Sequence, residues 1–301
     1  MNDISAATSS SDPATDPGAF PTREDFFSVL RCPNCELDTL DPHRRPVECT
    51  ACGATYDTAG GVLNLAEKGF KSIEQRVYAL KWYAENYEKG REQLTYIRSG
   101  RTLEAEMALS AQFLNLKADS RLLDVACGTA TFTRYFAKKI LEKEPKPDSD
   151  GPLIMGTDLS QASLEQGFRY LQDEGLEKQV FLFRSDAASL PVEHQAFNRV
   201  HCSAALHAMG DDIDRVLRHF ARLLEPKGIC VISTWLVTPE EDDEDFDVFR
   251  WLAGQAQAFI NRNLHKFEVG ELESRMEKAG FKISSVSTSQ EQITVKGRRV
   301  R

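Results

Sequence analysis

The sequence predicts an α/β fold: a parallel sheet covered by helices on both faces, preceded by a small cysteine-rich module. Three observations point there. Short apolar strands near residues 121, 153, 180, 199 and 229 alternate with helical patterns, which is the signature of strands joined by crossover helices. Between the first strand and its helix, the stretch LLDVACGTATFT (122–133) runs through small residues from Ala126 to Ala130. A turn without bulky side chains lets a ligand approach the backbone, and the free N–H groups at the helix start suit an anionic group. Upstream, two C-x-x-C pairs stand in a segment with its own turns.

The chain has 301 residues, which suggests one large domain plus a small module. Hydrophobic content of 41% and charged content of 28% are ordinary for a soluble globular protein. No apolar run approaches the roughly 20 residues needed to cross a bilayer, and the first 20 residues lack a basic start and an apolar core. The expectation is a cytoplasmic protein, or one in a comparably reducing compartment. Residues 1–22, rich in Ser, Ala, Asp, Thr and Pro, read as a disordered tail.

Residues 23–66 carry Cys32, Cys35, Cys49 and Cys52, with thirteen residues between the two pairs. Two such knuckles place four thiolates at the corners of a tetrahedron, which predicts a structural zinc ribbon closed to substrate. A pair of disulfides is the competing reading, and the absence of a secretory signal weighs against it. His43, in the spacer, reads as a solvated loop residue. Cys127, Cys202 and Cys230 fall in or beside core strands and read as small hydrophobes.

Residues 67–116 hold two helical patterns broken at Gly100, with Tyr78, Trp82, Tyr83, Tyr87 and Tyr96 along the first. The main domain spans 117–301. Within it, Lys143–Gly151 reads as an inserted surface loop, and Phe281–Val286 with Gln292–Lys296 as a closing hairpin. Phe246, Phe249, Leu252, Ala253, Ala256, Phe259 and Ile260 have helical spacing, which suits a helix over a pocket or packed on the sheet. Parallel strands place a ligand at their carboxyl ends, where the order reverses. Acids stand at such ends: Asp158 after the second strand and Asp186 after the third.

A dinucleotide fingerprint requires glycine at positions held here by Ala126, Gly128 and Thr131, so NAD is not expected. The stretch instead resembles motif I of the class I S-adenosylmethionine (SAM) methyltransferases, an acid followed by x-G-x-G-x-G, matched at Asp124 and Gly128. Ala126 and Ala130 stand where that family commonly has glycine, and Ala130 is expected to put a methyl group beside the methionine end of the ligand. Further matches follow in order: Asp158-Leu159, then Ser185-Asp186-Ala187 continuing into a D-A-x-x-L-P pattern, then Leu223-Leu224-Glu225-Pro226-Lys227-Gly228 before strand five. The resemblance covers residues 117 to 301. It implies a Rossmann-like seven-stranded methyltransferase sheet and SAM as cofactor. Asp124, Ala126 and Gly128 would shape the methionine site, Asp158 and Leu159 the ribose site, and Asp186 and Ala187 the adenine site. It also makes residues 67–116 a helical lid with some of its rings lining the pocket, against plain helix packing as the reading for any single ring.

With the zinc ribbon included, the chain resembles plastid and bacterial methyltransferases of unassigned substrate, which share the C-x-x-C pairs and a stretch like Ala204-Ala205-Leu206-His207. More distantly it resembles the 23S rRNA guanine-N1 methyltransferases. His207 ends the fourth strand beside the expected methyl-donor site and is the candidate general base, although in-line transfer from a sulfonium needs no base. His201, His219 and His265 are weaker candidates. Charge separates the substrates. Residues 1–66 hold ten acids against four Arg and Lys, the whole chain carries a formal charge of −9, and Glu240–Asp245 is a continuous acidic run. A polyanion is disfavoured by all three, so a small-molecule acceptor is expected, with rRNA guanine as the alternative. The basic tail Lys296, Arg298, Arg299, Arg301 is a small counterweight. The alanines of motif I leave one reading from another class, a non-catalytic zinc-ribbon scaffold.

Overall fold

The computed structural model describes residues 23–66, 76, 80–144, 151–236, 265 and 267–300. The expected tail at 1–22, most of the inserted loop, the acidic run and the helical spacing at 246–260 lie outside the described residues, as do Tyr78, Arg301 and the side chain of Tyr83.

Seven strands form the central sheet: β6 (Arg121–Val125), β7 (Leu153–Asp158), β8 (Val180–Arg184), β9 (Phe197–Ser203), β10 (Leu224–Trp235), β11 (Phe281–Ser289) and β12 (Gln292–Arg299). Their spatial order is β11-β12-β10-β9-β6-β7-β8. All neighbours from β10 to β8 are parallel, and the β11/β12 hairpin closes the edge antiparallel to β10. The order reverses at β6, between β7 and β9, so the carboxyl ends of those three strands form the binding crevice. β6, β7 and β8 read as nearly continuous apolar runs because both faces are covered.

Four amphipathic helices do much of that covering. α4 (Thr131–Leu141) turns Phe132, Phe136 and Ile140 inward at four-residue spacing. α5 (Gln161–Asp173) starts at Ser160, whose hydroxyl accepts the N–H of Ser163 at 3.2 Å, and buries Leu164, Phe168 and Leu171. α6 (Ile213–Leu223) buries Ile213, Val216, Leu217, Phe220 and Leu223. α7 (Glu271–Lys278) packs Leu272 and Met276 onto the closing hairpin.

The N-terminal module contributes more to this body than the sequence suggested. After the short helix α1 (Glu24–Phe27) come β1 (Leu40–Asp41), β2 (Val47–Cys49) and β3 (Thr55–Tyr56) in a small antiparallel sheet. Then β4 (Thr58–Ala59) and β5 (Val62–Asn64) leave the module and join the main sheet, β5 lying parallel to β8. Among the described residues the sheet therefore has nine strands, the seven expected ones plus two at the β8 edge. Phe26 and Phe27 place their rings 5.1 and 5.7 Å from Phe181 in one continuous core. Arg31 N–H donates to Pro191 O and Glu193 N–H to Val29 O, both at 2.8 Å. Residues 23–66 share a core with the main sheet rather than forming a separate body.

The two helices expected before the main domain are α2 (Lys81–Ser99) and α3 (Leu103–Leu114). They break at Gly100, whose φ of +66° ends α2 in the left-handed conformation. Among the described residues, no helix is long and apolar enough to cross a membrane.

Candidate functional site

The site is built on the turn from β6 to α4. Ala126, Gly128 and Ala130 have φ of +56°, +57° and +60°, so alternate residues are left-handed. That conformation costs a residue with a Cβ about 1–2 kcal/mol, which explains the confinement to small side chains. A Cβ added at Gly128 would meet nothing within 4 Å, so the demand there is conformational. Ala130 corrects one expectation. It is fully buried, and a Cβ on Gly167 of α5 would come within 3.3 Å of its methyl. The methyl group points into the core, and Ala130 does not line the cleft.

Asp158 secures the turn from β7. Its Oδ2 accepts the Gly128 N–H and its Oδ1 the Ser160 N–H, each at 2.8 Å. Burial pushes its pKa up, while those N–H groups pull it down. Asp186 accepts the N–H of Ala188 at 2.9 Å and holds the turn after β8.

Asp124 sits deeper than the other expected residues. It is only 2% exposed and lies beneath the turn, absent from the cleft lining. Thr133 donates its hydroxyl to Asp124 Oδ2 at 2.6 Å, and His201 Nδ1 lies 2.7 Å from Oδ1. A carboxylate only accepts, so His201 bears its proton on Nδ1. The His201 ring is fully buried, packed 5.0 Å from Phe132 and 4.8 Å from Phe136. Asp124 therefore ties β6 to α4 and β9. The pairing is invisible in sequence because it depends on the register that sets Asp124 beside His201.

Above the turn lies a cleft of about 260 Å³. Of the residues expected in it, Ala126, Gly128, Asp158, Leu159, Asp186, Ala187 and His207 line it together. At the end away from Asp186, His207 is nearly fully buried and stacks on Trp235, ring centroids 3.9 Å apart. Its Nδ1 is 3.4 Å from Thr234 Oγ1. Burial, with the Arg98 charge nearby, pushes its pKa down to about 3. The imidazole is thus a neutral hydrogen-bonding wall and a weak base. Arg98 covers Trp235 at 4.6 Å and is paired to Glu291 at 2.5 Å.

The contacts of α2 with the turn are mostly polar. Tyr87, Arg91 and Leu94 of α2 line the cleft, while Trp82 and Tyr96 are well exposed. Of the rings expected there, Tyr87 is the one among the described side chains that reaches it. Glu88 accepts the hydroxyls of Thr129 at 3.0 Å and Thr131 at 2.8 Å and pairs with Arg134, locking α2 onto the turn. Glu88 and Arg91 escaped sequence reasoning, since charged residues on an amphipathic helix ordinarily read as a solvated face, and Trp235 escaped it as the last residue of a core strand.

The four cysteines also come together, their sulfurs all within 4.8 Å of one another. Cys32 and Cys52 are 3.7 Å apart, Cys35 and Cys49 3.6 Å. A tetrahedral ion with metal–sulfur bonds of about 2.3 Å needs sulfurs about 3.8 Å apart, so the four could hold a metal ion. Cys127, Cys202 and Cys230 are all buried in the core as expected, and Cys127 also borders the cleft.

An α/β sheet in this strand order, with a cleft over a small-residue turn at its switch point, defines a Rossmann-like class of protein. A family model described as a methyltransferase domain matches residues 96–286, and the chain belongs to that family. Among curated relatives, the methyltransferase GfsG of Streptomyces halstedii is 30% identical over 130 residues, 43% of either chain. A demethylmenaquinone methyltransferase of Lactobacillus johnsonii is 31% identical over 117 residues, 38% of this chain and 43% of that one. An uncharacterised chloroplastic methyltransferase of Arabidopsis thaliana is 26% identical over 136 residues, 44% of this chain and 36% of that one. The chain thus spans less than half the length of these relatives. The solved SAM-dependent methyltransferase of Aquifex aeolicus shares the fold with a TM-score of 0.52 at 16% identity, over 72% of this chain and 98% of that one. Phosphoethanolamine N-methyltransferase 2 of Haemonchus contortus does so with a TM-score of 0.57 at 16% identity, over 78% and 61%.

Proposed function

We propose that the protein is a SAM-dependent methyltransferase that passes the methyl group to O, N or C of a small organic acceptor. The observation that carries this is the convergence of the motif I turn, Asp158-Leu159 and Asp186-Ala187 on one cleft in a chain of the methyltransferase family. Gly128 leaves the turn open, Asp158 at the end of β7 suits two ribose hydroxyls, and Asp186 with Ala187 borders the place for adenine. Bound SAM supplies an electrophilic methyl group on a sulfonium, which transfers in line to a nucleophile. The remaining work falls to positioning. Trp235 and His207 wall the acceptor end, and the neutral imidazole can accept a hydrogen bond from the acceptor. The buried methyl of Ala130 weakens the argument for a scaffold, which then rests on Ala126 in the cleft lining.

Relatives named for demethylmenaquinone and sterols support a small, largely apolar acceptor, and the charge of −9 weighs against a polyanion. The four cysteines are read as a structural zinc site, which fits a cytoplasmic or similarly reducing setting. Two measurements test this. Labelled SAM incubated with a metabolite extract should give labelled small molecules, whereas label confined to RNA would overturn the acceptor class. Metal analysis should find one zinc per chain, and a zinc-free folded protein would overturn the ribbon.

A further inference from the structure

The cleft contains one charge that none of the assignments above uses. Arg91 of α2 is only 8% exposed, yet it lines the cleft. Its Nη1 donates to Thr131 Oγ1 at 2.9 Å, and Thr131 in turn donates to Glu88, so the hydroxyl is fixed between the two. Its guanidinium is flanked by the rings of Tyr87 and Phe132, with centroids at 5.1 and 5.2 Å. Among the described residues it has that single hydrogen bond and no ion pair. A guanidinium has five N–H donors and stays charged. Burying such a charge unpaired is costly, so a site of this kind is completed by an anion.

Location selects which anion. The other charge-bearing residue types among the described lining residues are Asp158, which takes the Gly128 and Ser160 N–H groups, and Asp186, which takes that of Ala188; both are acids and neither attracts an anion. Arg91 instead sits against Thr131 and Phe132, the first residues of α4, where the helix start adds a positive field. An acidic group on an acceptor would be looked for beside His207 and Trp235, where Arg98 is already neutralised by Glu291. We infer that Arg91, carried by the lid helix, binds the α-carboxylate of the cofactor's amino-acid end. The inference rests on the SAM reading above. It makes α2 part of the cofactor site, so cofactor binding and docking of this helix stabilise each other.

The test compares SAM with decarboxylated SAM, which differ at that carboxylate, by calorimetric titration of the full chain and its Arg91→Gln and Arg91→Lys variants. The wild-type protein should prefer SAM on the order of 10- to 100-fold, the value of a charge-assisted hydrogen-bonded pair. Arg91→Gln should abolish that preference by weakening SAM alone, and Arg91→Lys should restore part of it. Equal affinity of the wild-type protein for both ligands overturns the inference without reference to any variant. So does an Arg91→Gln variant that keeps the preference, or loses affinity for both ligands equally, since Arg91 would then act only by docking the helix. Failure of the wild-type protein to bind either ligand is a separate outcome, which overturns the SAM reading and this inference with it.

Discussion

Replacing Thr133 with valine removes one hydroxyl and keeps the branched shape. Thr133 is fully buried and donates at 2.6 Å to Asp124, a carboxylate with His201 as its other hydrogen-bond partner. A hydrogen bond to a charged group contributes about 1.5–3 kcal/mol, and leaving a buried acceptor short of a donor costs a similar amount. Burying a methyl group in place of the hydroxyl returns up to about 1 kcal/mol. The net expectation is a loss of about 2 kcal/mol, read by urea unfolding. If the loss arises at Asp124, Thr133→Val should cost much less in an Asp124→Asn background, giving a coupling of about 1 kcal/mol or more. A single-variant loss below about 0.5 kcal/mol, or additive losses, would refute the idea that this bond holds the strand to the helix.

Other consequences follow from single residues. His207 is neutral because its folded pKa, about 3, lies below the ordinary 6.5. The unfolded chain therefore takes up a proton first as pH falls, so the wild-type protein should lose about 2 kcal/mol relative to H207N between pH 7 and pH 5. A stability difference independent of pH would contradict the assignment. The same shift predicts that no inflection between pH 5 and 8 in methyl transfer disappears in H207N. Gly61 combines φ of +76° with a Cβ position 2.2 Å from the Phe168 ring, so Gly61→Ala should cost about 2–4 kcal/mol in thermal or urea unfolding. Ala130→Gly exchanges left-handed strain for a lost buried methyl, each about 1 kcal/mol. Stability and SAM affinity should both stay nearly unchanged, and a large gain in affinity would show that the methyl does reach the ligand.

The parts legible in the sequence are those encoded locally. Strand ends at Asp158 and Asp186, the small-residue turn, the break at Gly100 and the paired cysteines each depend on a few neighbouring residues, and all stand where expected. What escaped depends on register and packing between distant segments. Val62–Asn64 carries too short an apolar run to announce itself as a strand, yet pairing with β8 makes it one. Asp124 satisfies motif I in sequence, but its bonds to Thr133 and His201 come from distant segments. Ala130 departs from the motif harmlessly because Gly167 makes room for its methyl on the core side. Glu88 and Arg91 look like ordinary helix surface until α2 is laid across the turn.

The central claim is that the cleft over this turn binds SAM through Asp158. The most direct measurement is calorimetric titration of SAM into the wild-type protein and Asp158→Ala. The wild-type protein should bind one equivalent, and the folded variant should bind on the order of 10- to 100-fold more weakly, as expected for a lost charged acceptor of two hydroxyls. A wild-type protein that is folded and takes up no SAM, or a folded variant that binds as tightly, would contradict the account.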